Sequence, residues 1–209
     1  MSTSRSPERV VFFTDAVVAI AMTLLVLPLT EVVSELVTED RPSVEAITGH
    51  QWQIYSFLLS FAVIARQWIR HHRLFEEVTA YSLPLMEVNM CWLLTIAVLP
   101  FPTEMVGAFG VDRFTVLFYI ATILASSVCQ TIMVLIVRGD ANVARSPSSI
   151  SDRWRATAIG STVALAVALL LAGLVPGVGY FAILLVGLPP LITRQWYARR
   201  GTDSVADPV

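Results

Sequence analysis

The sequence predicts an all-α integral membrane protein built from six transmembrane helices. Three observations carry that prediction: an apolar composition, six separable apolar runs, and a lopsided distribution of arginine. Hydrophobic residues make up 56% of the 209 positions and charged ones 14%, with a mean hydropathy of +0.70. A soluble domain usually carries roughly 45–50% apolar and 25% charged residues. These figures exclude an ordinary soluble enzyme or a nucleic-acid-binding module.

Crossing the hydrocarbon takes about 20 apolar residues per helix. Six such stretches fit the sequence, at 10–29, 52–69, 83–106, 114–137, 156–175 and 179–196. The first is preceded by Arg5 and Arg9, as a signal peptide would be, but it contains Asp15 and is long for one. It is therefore read as a span. In the third, Pro100 and Pro102 withdraw amide donors from the carbonyls of Ile96 and Val98, so the helix should bend or end there. Cys91 in the third span and Cys129 in the fourth have no metal-type spacing and are read as small buried residues. The fifth and sixth are separated by Ala172-Gly-Leu-Val-Pro176-Gly-Val-Gly179, a tight turn. Trp52, Trp68, Trp154, Trp196 and Tyr197 fall at span ends, the usual place of interfacial anchors.

Basic residues collect in short cytoplasmic loops. All 14 are arginines. With the N-terminus inside, twelve of them lie on the inner side and only Arg41 and Arg113 outside, which gives six spans with both ends cytoplasmic. The loop from Glu31 to His50 then lies outside and carries five acids against one arginine, a field that concentrates cations. Residues 1–200 form one membrane domain on this reading, followed by a short cytoplasmic tail at 201–209.

Within the first span, Phe13, Ala16, Ile20, Thr23, Leu27 and Thr30 recur at alternating steps of three and four, the spacing of one helix face. Such a seam suits a packed interface or a narrow pore wall. Thr23 is the only polar residue between Ala16 and Leu29, and its hydroxyl is expected to bond back to the Ala19 carbonyl. At the start of the span, Arg9 and Asp15 are charges that a membrane helix keeps only for structure or function. Six residues apart, they do not face each other on one helix, so their partners are expected on other helices. His71 and His72, beside Arg70 and Arg73, are the candidates for Asp15.

The run Arg9-x-x-x-Phe13-Thr14-Asp15 resembles the Arg-x-x-x-Phe-Ser-Asp signature of the transmembrane protein 175 family of cation channels, which includes lysosomal and prokaryotic potassium channels. Trp68-x-x-His71-His72, Asn89 and Leu99-Pro100-Phe101-Pro102-Thr103 resemble further family features in the same order. The chain departs from the pattern at Thr14, where the family has Ser, and in a fourth span without tryptophan. The resemblance covers the first three spans. It implies a prokaryotic plasma-membrane potassium channel with six spans per subunit, assembled as a homotetramer around the first helix in the lipid bilayer.

On that resemblance, Arg9, Phe13, Thr14 and Asp15, with Trp68, His71, His72 and Asn89, form a structural network fastening the pore helix. Ile20, Thr23 and Leu27 match the family's hydrophobic constriction. Four copies of Ile20 or Leu27 would close the path by dewetting, and four Thr23 hydroxyls would replace part of an ion's hydration shell. Nothing in the chain resembles a Thr-Val-Gly-Tyr-Gly carbonyl filter. No cofactor, metal or nucleic acid is expected; adjacent histidines point about 100° apart on a helix and lack further ligands.

A secondary transporter is the rival reading, but it would show internal repeats, and no echo of the Arg9–Asp15 motif occurs in the second half. An intramembrane enzyme would need paired acids or a nucleophile with a base. Asp15 and Glu87 are the only acids toward the inner side of the spans, and neither sits in a catalytic motif.

Overall fold

The computed structural model describes residues 8–110, 112–140, 142–145 and 151–175, all helix and loop apart from one isolated antiparallel bridge. In chain order the helices are α1 (Glu8–Leu24), α2 (Leu27–Thr38), α3 (Glu45–Thr48), α4 (Gln51–Glu76), α5 (Leu83–Val98), α6 (Pro100–Phe109), α7 (Arg113–Gly139) and α8 (Asp152–Leu174).

The expected first span is interrupted. Its helix stops at Leu24 and resumes at Leu27, with Val26 N bonded only three residues back, to Thr23 O at 3.3 Å. Pro28 has no amide hydrogen to give the Leu24 carbonyl. The two segments remain one apolar stretch, Glu8–Thr38. Pro100 acts on the third span in the same way: α5 ends at Val98, and Leu99 N takes the Ile96 carbonyl at 3.2 Å before α6 continues.

Four described stretches are long and apolar enough to cross a membrane: Glu8–Thr38, Leu83–Phe109, Arg113–Gly139 and Asp152–Leu174. They correspond to the expected first, third, fourth and fifth spans. The expected second span lies in α4, which at 26 residues is long enough but carries Arg66, Gln67, Arg70, His71, His72 and Arg73 in its second half. The sixth, at 179–196, and the tail at 201–209 lie outside the described residues.

The core forms around α7, which packs against both α5 and α8. Trp92, Ile96 and Leu99 meet Tyr119, Ile120 and Ile123 in one buried cluster. Hydroxyls pin the helices to one another inside it: Ser60 Oγ is 2.9 Å from Tyr119 Oη and 2.7 Å from Thr103 Oγ1, joining α4, α6 and α7. α6 approaches α4 closely at Gly107, where an added Cβ would lie 3.2 Å from Ser56 Oγ and 3.3 Å from Gln53 Cα. Asp112 and Ser151 accept from the amides of Thr115 and Trp154 and so start α7 and α8. At the arginine-rich end two loops clasp each other, Thr79 N on Val143 O at 2.9 Å and Arg145 N on Glu77 O at 2.8 Å.

Two expectations change. Cys91 is exposed and Cys129 only half-buried. Trp68 is half-buried and hydrogen-bonded inside the protein rather than standing as an interfacial anchor.

Candidate functional site

The first helix has two faces with opposite fates. Thr14, Val18, Ala21 and Leu25 are buried against the rest of the chain. The seam of Phe13, Ala16, Ile20, Thr23, Leu27 and Thr30 is exposed throughout, with Ile20 at 59% and Leu27 at 50%. Helical spacing made these residues neighbours; the described chain leaves them uncovered. Thr23 Oγ1 donates to the Ile20 carbonyl at 2.7 Å, three residues back rather than the expected four. Its only hydrogen is thereby committed to the helix, and the hydroxyl offers acceptor lone pairs to whatever lies beyond.

Near the start of α1, side chains from three helices converge. Trp68 Nε1 on α4 donates to Asp15 Oδ1 at 2.8 Å. Asn89 Nδ2 on α5 donates to Thr14 Oγ1 at 3.0 Å, and Asn89 Oδ1 lies 2.7 Å from His71 Nε2. Because that oxygen only accepts, Nε2 carries the hydrogen, which fixes the neutral tautomer of His71. Thr14, His71 and Asn89 are all buried. The imidazole is sandwiched between Phe75 and Trp92, with ring centroids 4.3 and 4.4 Å away.

The arrangement differs in detail from the expected one. The partner of Asp15 is Trp68, while His71 belongs to Asn89. His72 stacks on Trp68 at 5.4 Å and has Glu76 at 3.8 Å. Trp68 and His72 are four apart and share the side of α4 facing α1, whereas His71 is turned about 100° from His72, toward α5. Phe13 is 55% exposed, and Arg9 is exposed with no hydrogen bond or ion pair among the described residues. Neither joins the cluster. Glu87 is exposed and also stands outside it. Trp92 and Phe75 are members that sequence reasoning missed; the signals were Asn89-x-x-Trp92 and His71-x-x-x-Phe75, each pair one helical turn apart. Among the described residues no group of His, Cys, Asp or Glu is placed to hold a metal.

The three helices in this cluster come from the first half of the chain, and that half matches a known family model. The model for the endosomal/lysosomal potassium channel TMEM175 matches residues 9–100. Residues 9–100 are similar to the TMEM175 family. The matched TMEM175 segment contains every residue of both the seam and the polar cluster, and the family is one of channels rather than enzymes. A potassium channel of Streptomyces collinus is 35% identical over 103 residues, 48% of this chain and 48% of that protein. The human endosomal/lysosomal proton channel TMEM175 is 26% identical over 129 residues, 61% of this chain and 25% of that one. The match thus spans about half the length of the bacterial relative and a quarter of the human one.

The crystal structure of a lysosomal potassium-selective channel TMEM175 homolog from Chamaesiphon minutus superposes with a TM-score of 0.67 at 23% identity, covering 92% of this chain and 96% of that one. The likeness of fold therefore extends beyond residues 9–100, to described residues that follow them.

Proposed function

We propose that this chain is a subunit of a potassium-permeable cation channel, a homotetramer in the plasma membrane with the first helix around a central path and both termini in the cytoplasm. The observation that carries the reading is the uncovered seam. A protomer that buries one face of α1 and leaves Ile20, Thr23 and Leu27 exposed needs something else to face them. Four copies converging on an axis would supply it. The bacterial relatives described as potassium channels support the permeant ion.

Ile20 and Leu27 then form the constriction, which closes by dewetting, with the Thr23 oxygens between them as the polar ring. Their free lone pairs suit a partly dehydrated cation and oppose an anion. A hydroxyl ring discriminates less than stacked carbonyls, so selectivity for potassium over sodium is expected to be weak. The cluster of Thr14, Asp15, Trp68, His71 and Asn89 holds α1 in place and does not touch the ion; its burial beneath the opposite face supports that division.

Reconstitution into planar bilayers tests the reading. Unitary potassium currents are expected, with Leu27→Ala raising conductance and Thr23→Ala changing the potassium to sodium permeability ratio. Both variants behaving as the parent would overturn it. The vertebrate relatives described as proton channels give a second permeant ion a specific footing. A reversal potential that follows the pH gradient at fixed potassium would establish it.

A further inference from the structure

Two hydrogen-bond networks start from the buried face of α4: one from Ser60, with Tyr119 and Thr103, and one about three turns further on from His71, with Asn89 and Thr14. Around the second, four buried polar atoms have no hydrogen-bond partner among the described residues: Gln67 Oε1 and His71 Nδ1 on α4, Trp92 Nε1 on α5 and Gln130 Oε1 on α7. Their residues are at most 5% exposed, so bulk solvent does not reach them. Buried polar atoms are rarely left in this state, because each has given up its bonds to water. The four residues are gathered together. Gln67 and His71 are one turn apart on the same face of α4, the Trp92 ring stacks on the His71 ring with centroids 4.4 Å apart, and Gln130 Nε2 donates to the Gln67 backbone carbonyl at 2.6 Å. That last bond fixes the Gln130 amide, since turning it over would set oxygen against oxygen, and it leaves Oε1 in need of a donor. About one turn away on the same faces, Ile64 and Ile96 are buried and apolar and supply none.

We infer that these four atoms bind one water molecule inside each protomer. It accepts the indole hydrogen of Trp92, donates one hydrogen to His71 Nδ1 and shares the other between the two glutamine oxygens. Each role follows from the atom concerned: an indole nitrogen only donates, an amide oxygen only accepts, and His71 Nδ1 accepts because Nε2 holds the ring hydrogen. A water bonding each nitrogen at about 2.9 Å can bridge two rings stacked at this separation. A cation would suit the three acceptors, but the hydrogen on Trp92 Nε1 would be aimed at it and repel it. Water both gives and takes. The bound molecule joins α7 to the bonds that run from His71 through Asn89 to Thr14, and so to the base of α1. The inference does not depend on the channel reading, because it concerns the interior of one protomer and that reading concerns the uncovered seam.

The test is X-ray radiolytic labelling of the full-length protein in lipid nanodiscs, read by mass spectrometry, since radicals made from a bound water modify the buried side chain beside it. Trp92 is expected to be modified several-fold faster, relative to the free amino acid, than Tyr119, which is equally buried but whose hydroxyl already has Ser60 as its partner. Gln130→Leu should slow the labelling of Trp92 several-fold and leave that of Trp52, 46% exposed, unchanged. If Gln130→Leu does not fold, the parent protein still decides: a map that resolves internal waters should show a peak about 3 Å from both Trp92 Nε1 and His71 Nδ1. Labelling of Trp92 no faster than that of Tyr119, full labelling in a folded Gln130→Leu, or no such peak would each overturn the inference. So would a peak that gives a rubidium anomalous signal after exchange, which would make the occupant a cation.

Discussion

Trp68 and Asp15 are joined by a single hydrogen bond of 2.8 Å between residues 53 positions apart. The indole hydrogen meets the carboxylate in a half-buried setting, where a charge-assisted bond exceeds a neutral one in strength. Trp68→Phe keeps the ring and removes the donor. It is expected to destabilise the protein by about 1–3 kcal/mol, the cost of an acceptor left without its partner. Melting of Trp68→Phe, Asp15→Asn and the double variant checks this; simple additivity would mean that the bond contributes nothing.

His71 lies between two aromatic rings and reaches Asn89, which in turn reaches Thr14. His71→Ala removes a donor and leaves a cavity in one step, so it should cost at least about 2–5 kcal/mol. Loss of the assembled oligomer on size exclusion is the expected result. His72→Ala, on the neighbouring but less buried position, should leave assembly intact. An oligomer that survives His71→Ala with altered pH dependence would instead make His71 a sensor.

Gly107 sets the distance between α6 and α4. A methyl group there meets Ser56 Oγ and the backbone at Gln53 inside ordinary contact distance. Gly107→Ala should therefore lower the melting temperature, by about 1–3 kcal/mol in stability if the helices must part. Adding Ser56→Ala relieves one of the two contacts and should restore only part of the loss.

Pro28 accounts for the break between α1 and α2. Pro28→Ala returns an amide donor to the Leu24 carbonyl and permits one continuous helix. Ile20 and Thr23 precede the break and Leu27 and Thr30 follow it, so continuity would rotate the second pair relative to the first. In the proposed pore, unitary conductance should change, while Pro84→Ala, at the start of α5, should leave it unaltered.

The seam was legible in the sequence because a helix face depends only on residue spacing; Phe13, Ala16, Ile20, Thr23, Leu27 and Thr30 stand out by spacing alone, whereas Ile20, Thr23 and Leu27 are singled out among them by the family resemblance. The break at Leu25 and Val26 was not, although Pro28 was in view: hydropathy counts side chains and does not register a missing amide. The third span was read correctly as interrupted, since there the lost donors at Pro100 and Pro102 were followed to particular carbonyls. For Asp15 the right helix was found but the wrong residue. Choosing between Trp68 and His71 requires the rotation of α4 about its axis, which is set by Ile64, Gln67 and Leu74, buried on the same face as His71. Trp92 went unnoticed for a related reason: its place one turn after Asn89 marks it as a neighbour of His71 only once the face of α5 that meets α4 is known.

The clasp between the two loops has a mechanical consequence. Val143 and Arg145 grip Thr79 and Glu77, at the foot of α4, and α4 grips α1 through Trp68. These links are in series, so residues 143–145 after α7 and Asp15 at the base of the first helix are tied to the same helix, α4.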